Sequence, residues 1–295
     1  MNFTTGVPRL DSLLSGGVQP GLCIITGPPA SGKTTLASSF LREASLRGDY
    51  VAYMSPDGSV ERNWIRVAGP IGNCLSAQPF TSEAVFEAAA AFMVHGIKVI
   101  VIDSISMLSW YGGGALLSER REYAEPGGRA RMITGGLRQL HNMALASGSL
   151  VIVTAQIRSN LASTRGGMRI AMPTTAAMNA HTILSTDRIN MHSSYGEFAY
   201  LQFGIKVTKC QFSPPGGKTS AFLMAGIGIN RYFETLRFLT EEGVLVRAGA
   251  YWKGPNGISI GPGYMEAVKQ LRDIPELHSP LTGKSTHGSH NHDHT

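Results

Sequence analysis

Gly27-Pro28-Pro29-Ala30-Ser31-Gly32-Lys33-Thr34 matches the pattern GxxxxGK[ST] in full. The pattern carries meaning only between a strand and a helix, and both are predicted here. Residues 21–26 (GLCIIT) form a short apolar run bounded by glycines, as a buried strand does. Residues 33 to about 46 read as a helix. Glycines in such a loop let backbone N–H groups wrap phosphates, and the helix N-terminus adds a positive dipole. Lys33 is expected to reach the β- and γ-phosphates and Thr34 to ligate Mg2+. The candidate cofactor-binding set is therefore Gly27, Pro28, Pro29, Ala30, Ser31, Gly32, Lys33, Thr34 and Thr35, with a nucleoside triphosphate and Mg2+ as the cofactors.

The rest of the chain supplies the frame such a loop needs. Residues 51–55 (VAYMS), 98–103 (KVIVID) and 150–155 (LVIVTA) are further apolar strands. Helices are predicted from Thr81 or Ser82 to about residue 95, and over 130–146. Continuous apolar strands alternating with helices indicate an α/β domain with a mostly parallel sheet flanked by helices. Asp103 ends its strand where a second metal-side carboxylate belongs. After about Thr182 the pattern changes. Residues 200–208 and 220–225 read as strands joined by the turn-rich Pro214-Pro215-Gly216-Gly217. They are expected to extend the sheet in an antiparallel sense. Residues 232–242, a helix, with 244–251 and 263–273, complete a small C-terminal α+β subdomain. The expected division is 1–229, 230–277, and a polar tail, 278–295, that carries His287, His290, His292 and His294 and reads as disordered.

Composition sets limits around this frame. With 43% hydrophobic and 16% charged residues, global disorder is excluded. The 26 Lys and Arg against 20 Asp and Glu give +6, which permits a polyanionic partner without requiring one. Cys23, Cys74 and Cys210 are scattered, so neither a disulfide framework nor a structural zinc site is expected, and a reducing compartment fits. The first 17 residues lack a basic start followed by an apolar run, so no secretory signal is expected. The most apolar stretch, 84–108, is broken by Glu87, His95, Lys98 and Asp103 and is no membrane span. A soluble, cytoplasmic protein with no membrane partner is expected.

Six segments, in order, resemble the bacterial RecA recombinase family over roughly residues 4–275. They are TTGVPRLDSLLSGGVQPGLCIITGPPASGKTTL, VAYMSPDGSVERNW, KVIVIDSISML, ARMITGGLRQL, VIVTAQIR and GIGINRYFETLRFLTEEGVLVRAGAYW. The resemblance implies a RecA-like P-loop ATPase core and assigns further roles. Asp57 falls where the family has a catalytic Glu that activates water, and is one methylene shorter. Trp64 and Tyr232 fall at adenine-side positions. Gln156 falls where an amide senses the γ-phosphate and reports it to the following loop. Lys209 matches the first of two lysines that reach a neighbouring subunit's γ-phosphate, whereas the second position holds the uncharged Gln211; Lys206 is a further cation nearby. The implied catalytic set is Lys33, Asp57, Asp103, Gln156 and Lys209, with metal held by Thr34 and Asp103.

Two stretches are candidate DNA loops. The first, about 110–128, mixes Arg120 and Arg121 with Glu119, Glu122 and Glu125. The second, about 157–173, holds Arg158, Arg165 and Arg169 and no carboxylate. Thr134, Arg138 and Arg158 are DNA contacts carried over from the family; Arg165 and Arg169 are added on charge alone. The second loop lacks the family's paired glycines and following aromatic. Little sequence precedes Gly27 for the family's N-terminal docking helix, so filament contacts are expected to rest on the core or to differ in geometry.

The implied function is an ATP-dependent recombinase that forms filaments on single-stranded DNA for pairing with homologous duplex DNA. The implied reaction is DNA-dependent hydrolysis of ATP. The alternative is a RecA-fold regulator or assembly factor that binds ATP and a protein partner. A hexameric helicase-like motor is a third reading.

Overall fold

The computed structural model describes residues 2–56, 71–79, 81–108, 128–159, 168–170, 172–195, 198–224, 226–274 and 277. Asp57, Trp64, Arg165, nearly all of the first loop and the His-rich tail lie outside the described residues.

The first half of the chain runs α1 (Pro8–Leu13), β1 (Gly21–Gly27), α2 (Lys33–Leu46), β2 (Val51–Met54), β3 (Cys74–Ala77), α3 (Ser82–Val94), β4 (Val99–Ile102), α4 (Gly128–Ser147) and β5 (Leu150–Ser159). It continues through β6 (Met168–Ile170), α5 (Thr174–Met178), β7 (Thr182–Tyr195), β8 (Phe198–Cys210), β9 (Lys218–Met224) and β10 (Gly228–Ile229). One ten-stranded sheet results, in the order β10-β9-β8-β7-β1-β5-β4-β2-β3, with β6 paired to β5. The strands from β7 to β3 in that order are parallel, and β7 to β10 are antiparallel.

Every residue of β1 is buried, because helices cover both faces there. Alternate side chains part to opposite sides. Cys23 and Ile25 meet Leu36, Phe40 and Leu41 of α2. Leu22 and Ile24 meet the layer formed by Val85 and Ala89 of α3 with Leu137 and Leu140 of α4. Thr81 caps α3 by accepting from the Ala84 N–H at 3.1 Å, a contact worth about 1 kcal/mol. His181, buried just before β7, sets its two ring nitrogens against the Leu22 and Gln19 carbonyls at 2.5 and 2.8 Å, fixing the entry to β1.

Beyond the sheet lie α6 (Arg231–Glu241), a three-stranded sheet of β11 (Val246–Ala248), β12 (Tyr251–Lys253) and β13 (Ser259–Ile260), and α7 (Gly263–Arg272). Leu236, Leu239, Leu245, Trp252, Ile260 and Leu271 form an apolar cluster of their own.

The predicted strands and helices of the parallel half are present, most within a residue or two of their expected ends. The elements not foreseen include β7, β3 and β6. β7 reads TILSTDRINMHSSY, too polar for the apolar-run criterion, yet it lies beside β1. β3 is a four-residue edge strand with half its positions exposed. The expected second loop is corrected at both ends. β5 runs on to Ser159 and pairs with β6 as an antiparallel ribbon, so residues 157–159 and 168–170 are strand.

A pH effect follows from α1. Asp11 is buried and accepts the Thr5 N–H at 2.8 Å. Burial pushes its carboxyl up to about 7, against the pull of the Thr5 hydrogen bonds. A carboxyl raised on folding favours the fold while protonated, and that advantage fades as pH climbs from 3.8 through 7. Asp11→Asn keeps an acceptor and removes the titration. Relative to the variant, the wild type should lose on the order of 2–4 kcal/mol between pH 4 and pH 8. Glu234, pushed up to about 7 by the same cause, titrates in both proteins and cancels in the difference. Urea unfolding at both pH values measures this; parallel curves would remove the argument.

Candidate functional site

The loop between β1 and α2 is shaped by its backbone. Ala30 and Gly32 are left-handed, with φ of 57 and 89°, on either side of Ser31. Alternating backbone hand turns successive N–H groups toward one side and makes an anion-binding concavity. Gly32 is also the N-cap of α2, so the helix's free N–H groups open into the same concavity. A Cβ on Gly32 would sit 2.8 Å from the Phe203 ring, and one on Gly27 would sit 2.5 Å from both the Thr186 carbonyl oxygen and Ser31 Oγ. The loop is also tied from below. Ser31 Oγ and Thr186 Oγ1 are 2.7 Å apart, and Thr186 donates to the Thr26 carbonyl at 3.2 Å.

Lys33 and Thr34 open the helix. The Lys33 ammonium donates to the Pro28 carbonyl at 2.6 Å, so the side chain curls over the loop. Burial lowers its pKa and the nearby Asp103 opposes that. Thr34 Oγ1 donates to Asp103 Oδ2 at 2.6 Å. Asp103 stands just beyond β4, and β4 lies between β5 and β2. Each neighbour contributes a donor: Tyr53 OH donates to Asp103 Oδ2 at 2.9 Å, and Thr154 Oγ1 donates to Oδ1. Loop, lysine, threonine and carboxylate thus share one end of the sheet. An N–H-lined, anion-binding concavity beside a hydroxyl and a carboxylate suits a nucleoside triphosphate with a divalent cation.

Gln156 is the β5 register partner of Gly27, so it sits at the mouth of the same loop. Its backbone N–H donates to Ser106 Oγ at 3.2 Å, in the turn that follows Asp103. Two residues on, Arg158 and Arg169 are register partners in the β5–β6 ribbon. Thr134 and Arg138 are one helical turn apart on α4. Thr134 bonds the Ala130 carbonyl at 2.7 Å and Thr175 Oγ1 at 3.1 Å, whereas Arg138 is exposed.

Two further expected residues make other contacts within this chain. Lys209 pairs in register with Ile183, which stands level with Ile24, and its ammonium donates to the Met178 carbonyl at 2.8 Å. It is some three residues, roughly 10 Å along the strand, short of its own chain's loop. Lys206, partner of Ser185, is level with Thr26 and closer to the loop end. Tyr232 packs on the C-terminal apolar cluster with the Arg231 guanidinium 5.5 Å over its ring. Sequence reasoning passed over Tyr53, Thr154 and Thr186. The available signal was a hydroxyl inside an otherwise apolar buried strand, which must find a partner.

The family model of the RecA N-terminal domain matches residues 2–230. Protein RecA of Rippkaea orientalis is 30% identical over 285 residues, covering 93% of this chain and 79% of that protein. Protein RecA of Brucella canis is 29% identical over 284 residues, covering 93% and 76%. Among solved structures, the RadB recombinase is similar with a TM-score of 0.56 at 23% identity, over 77% of this chain and 98% of that one; this likeness bears on the fold.

Proposed function

The chain belongs to the RecA family, and from that premise we propose an ATP-dependent recombinase that polymerises on single-stranded DNA and pairs it with homologous duplex. The observation that carries the reading is the run of β5 from phosphate loop to cationic ribbon. Gln156 neighbours Gly27, and the same strand then holds Arg158 opposite Arg169. A change in phosphate occupancy at Gln156 has a path of two residues to positions suited to a nucleic-acid backbone. Arg138, Thr134 and Arg165 are proposed as further DNA contacts.

The proposed reaction is in-line attack of water on the γ-phosphate. Bound Mg2+ supplies charge neutralisation at the β- and γ-phosphates. Lys33 adds a fixed positive charge where negative charge develops. Thr34 and Asp103 hold the metal side, Gln156 contacts the γ-phosphate, and Asp57 orients the water. Lys209 serves a neighbouring subunit, in keeping with its distance from its own loop. Trp64 and Tyr232 flank the adenine. The proposed boundaries are 1–229 for the ATPase core and 230–277 for the C-terminal subdomain. No helix among the described residues is long and apolar enough to cross a membrane.

Gln211 favours a second reading, an ATP-binding regulator or assembly factor, because it brings no charge to a neighbour's phosphate. Electron microscopy with an ATP analogue and single-stranded DNA separates the two: filaments support the recombinase, monomers or closed rings the regulator. Saturating single-stranded DNA should also raise ATP turnover, and Arg158→Ala with Arg138→Ala should weaken DNA binding at least tenfold, by about 1 kcal/mol or more per lost phosphate contact. An unchanged rate together with unchanged DNA affinity would sink the recombinase reading.

A further inference from the structure

Three hydroxyls converge on one carboxylate. Thr34 and Tyr53 both donate to Asp103 Oδ2, at 2.6 and 2.9 Å, and Thr154 donates to Oδ1. Thr34 is the loop's own hydroxyl and has a role already. Tyr53 and Thr154 do not belong to the loop, and each comes from a strand flanking β4, Tyr53 from β2 and Thr154 from β5. Both are buried, at 3% and 0% exposure. Their backbones are fixed by parallel pairing on both sides of Asp103. We propose that Tyr53 and Thr154 are positioning residues that fix the plane of the Asp103 carboxylate and thereby set how firmly the site takes a divalent cation. The inference rests on the nucleotide-site reading above.

The physical argument is a count of lone pairs. An ionised carboxylate offers about four acceptor sites. Three are filled by these hydroxyls, two on Oδ2 and one on Oδ1. One acceptor site on Oδ1 is left over for a cation or its water. A carboxylate gripped from two strands cannot rotate, so binding a cation costs little reordering. Hydrogen bonds to a charged group are also the stronger kind, so losing one should be felt. A merely structural role, in which each buried hydroxyl takes the nearest acceptor, would affect folding and leave cation dependence alone.

The test uses the full chain, a slowly hydrolysed ATP analogue and a Mg2+ titration. Tyr53→Phe and Thr154→Val each remove one donor and keep the side chain's shape. Each should raise the Mg2+ concentration for half-maximal tightening of nucleotide binding by roughly tenfold, with affinity in chelator unchanged. Thr154→Ser retains a hydroxyl and should restore the wild-type curve. With Mn2+ in place of Mg2+, the electron paramagnetic resonance signal of the bound ion should broaden in Tyr53→Phe and Thr154→Val as the carboxylate loses its fixed plane. If the wild type binds nucleotide with a Mg2+ dependence and both variants reproduce it, the positioning role is wrong while the nucleotide site stands. If the wild type binds no nucleotide, the site reading itself fails and the inference falls with it. Should Thr154→Val fail to fold, Tyr53→Phe alone decides.

Discussion

Lys33→Ala should lower ATP turnover by roughly 10²–10³-fold, the cost of losing one pre-positioned charge at a site of developing negative charge. The side chain is half-buried, and its ammonium lies over the loop on the Pro28 carbonyl. Burial lowers its pKa, while Asp103 beside it pulls the other way. An ammonium in that setting is poorly hydrated, so a phosphate meets little competition from water. The change should leave the fold intact, because the removed atoms end in a single contact to a loop carbonyl. Steady-state turnover and the unfolding midpoint, measured on the same preparation, check both halves. Turnover within threefold of wild type, with the fold preserved, would mean that Lys33 does not stabilise the transferring phosphate.

Gly27→Ala should damage the site by a different route. A Cβ there would lie 2.5 Å from the Thr186 carbonyl oxygen, from Thr186 Oγ1 and from Ser31 Oγ. Backbone oxygen cannot swing aside as a side chain can. Either β1 and β7 part at their ends or the loop is displaced. Overpacking of this kind costs about 1–3 kcal/mol. The displacement falls on the residue that opens the loop and neighbours Gln156. Nucleotide affinity should therefore drop at least tenfold, about 1.4 kcal/mol or more. Urea unfolding and titration with a fluorescent ATP analogue read the two effects separately. Wild-type values in both would show that the loop has room that the geometry denies.

The contrast between Gly27 and Thr186 marks where sequence reasoning stops. Gly27 belongs to a local pattern, eight residues with a strand before and a helix after, and its importance was legible from that alone. Thr186 is distant in sequence and is linked to Ser31 only because β7 pairs with β1. β7 itself was not foreseen. Its run of Thr, Ser, Asp and Arg lacks the apolar continuity of a buried parallel strand. Thr154 and Tyr53 were likewise read as parts of strands without a role, since their shared acceptor is set by strand order.

The ribbon of β5 and β6 shows the same limit. Arg158 and Arg169 were grouped by charge within one segment. That they are register partners, two residues past the neighbour of Gly27, depends on the pairing of β5 with β6. Asp57 and Trp64 lie outside the described residues, and their roles rest on the family resemblance.

The phosphate loop, the helix it opens, the apolar strands and the family resemblance could all be read from the sequence. Each is local: a spacing of glycines, a run of β-branched residues, a motif a few residues long. Tertiary structure alone decided which hydroxyls hold Asp103, which carbonyl crowds Gly27, and which strand carries Gln156 from the loop to Arg158. These are contacts between residues about 50 to 160 positions apart, and a chain settles them only when its strands choose their neighbours and register.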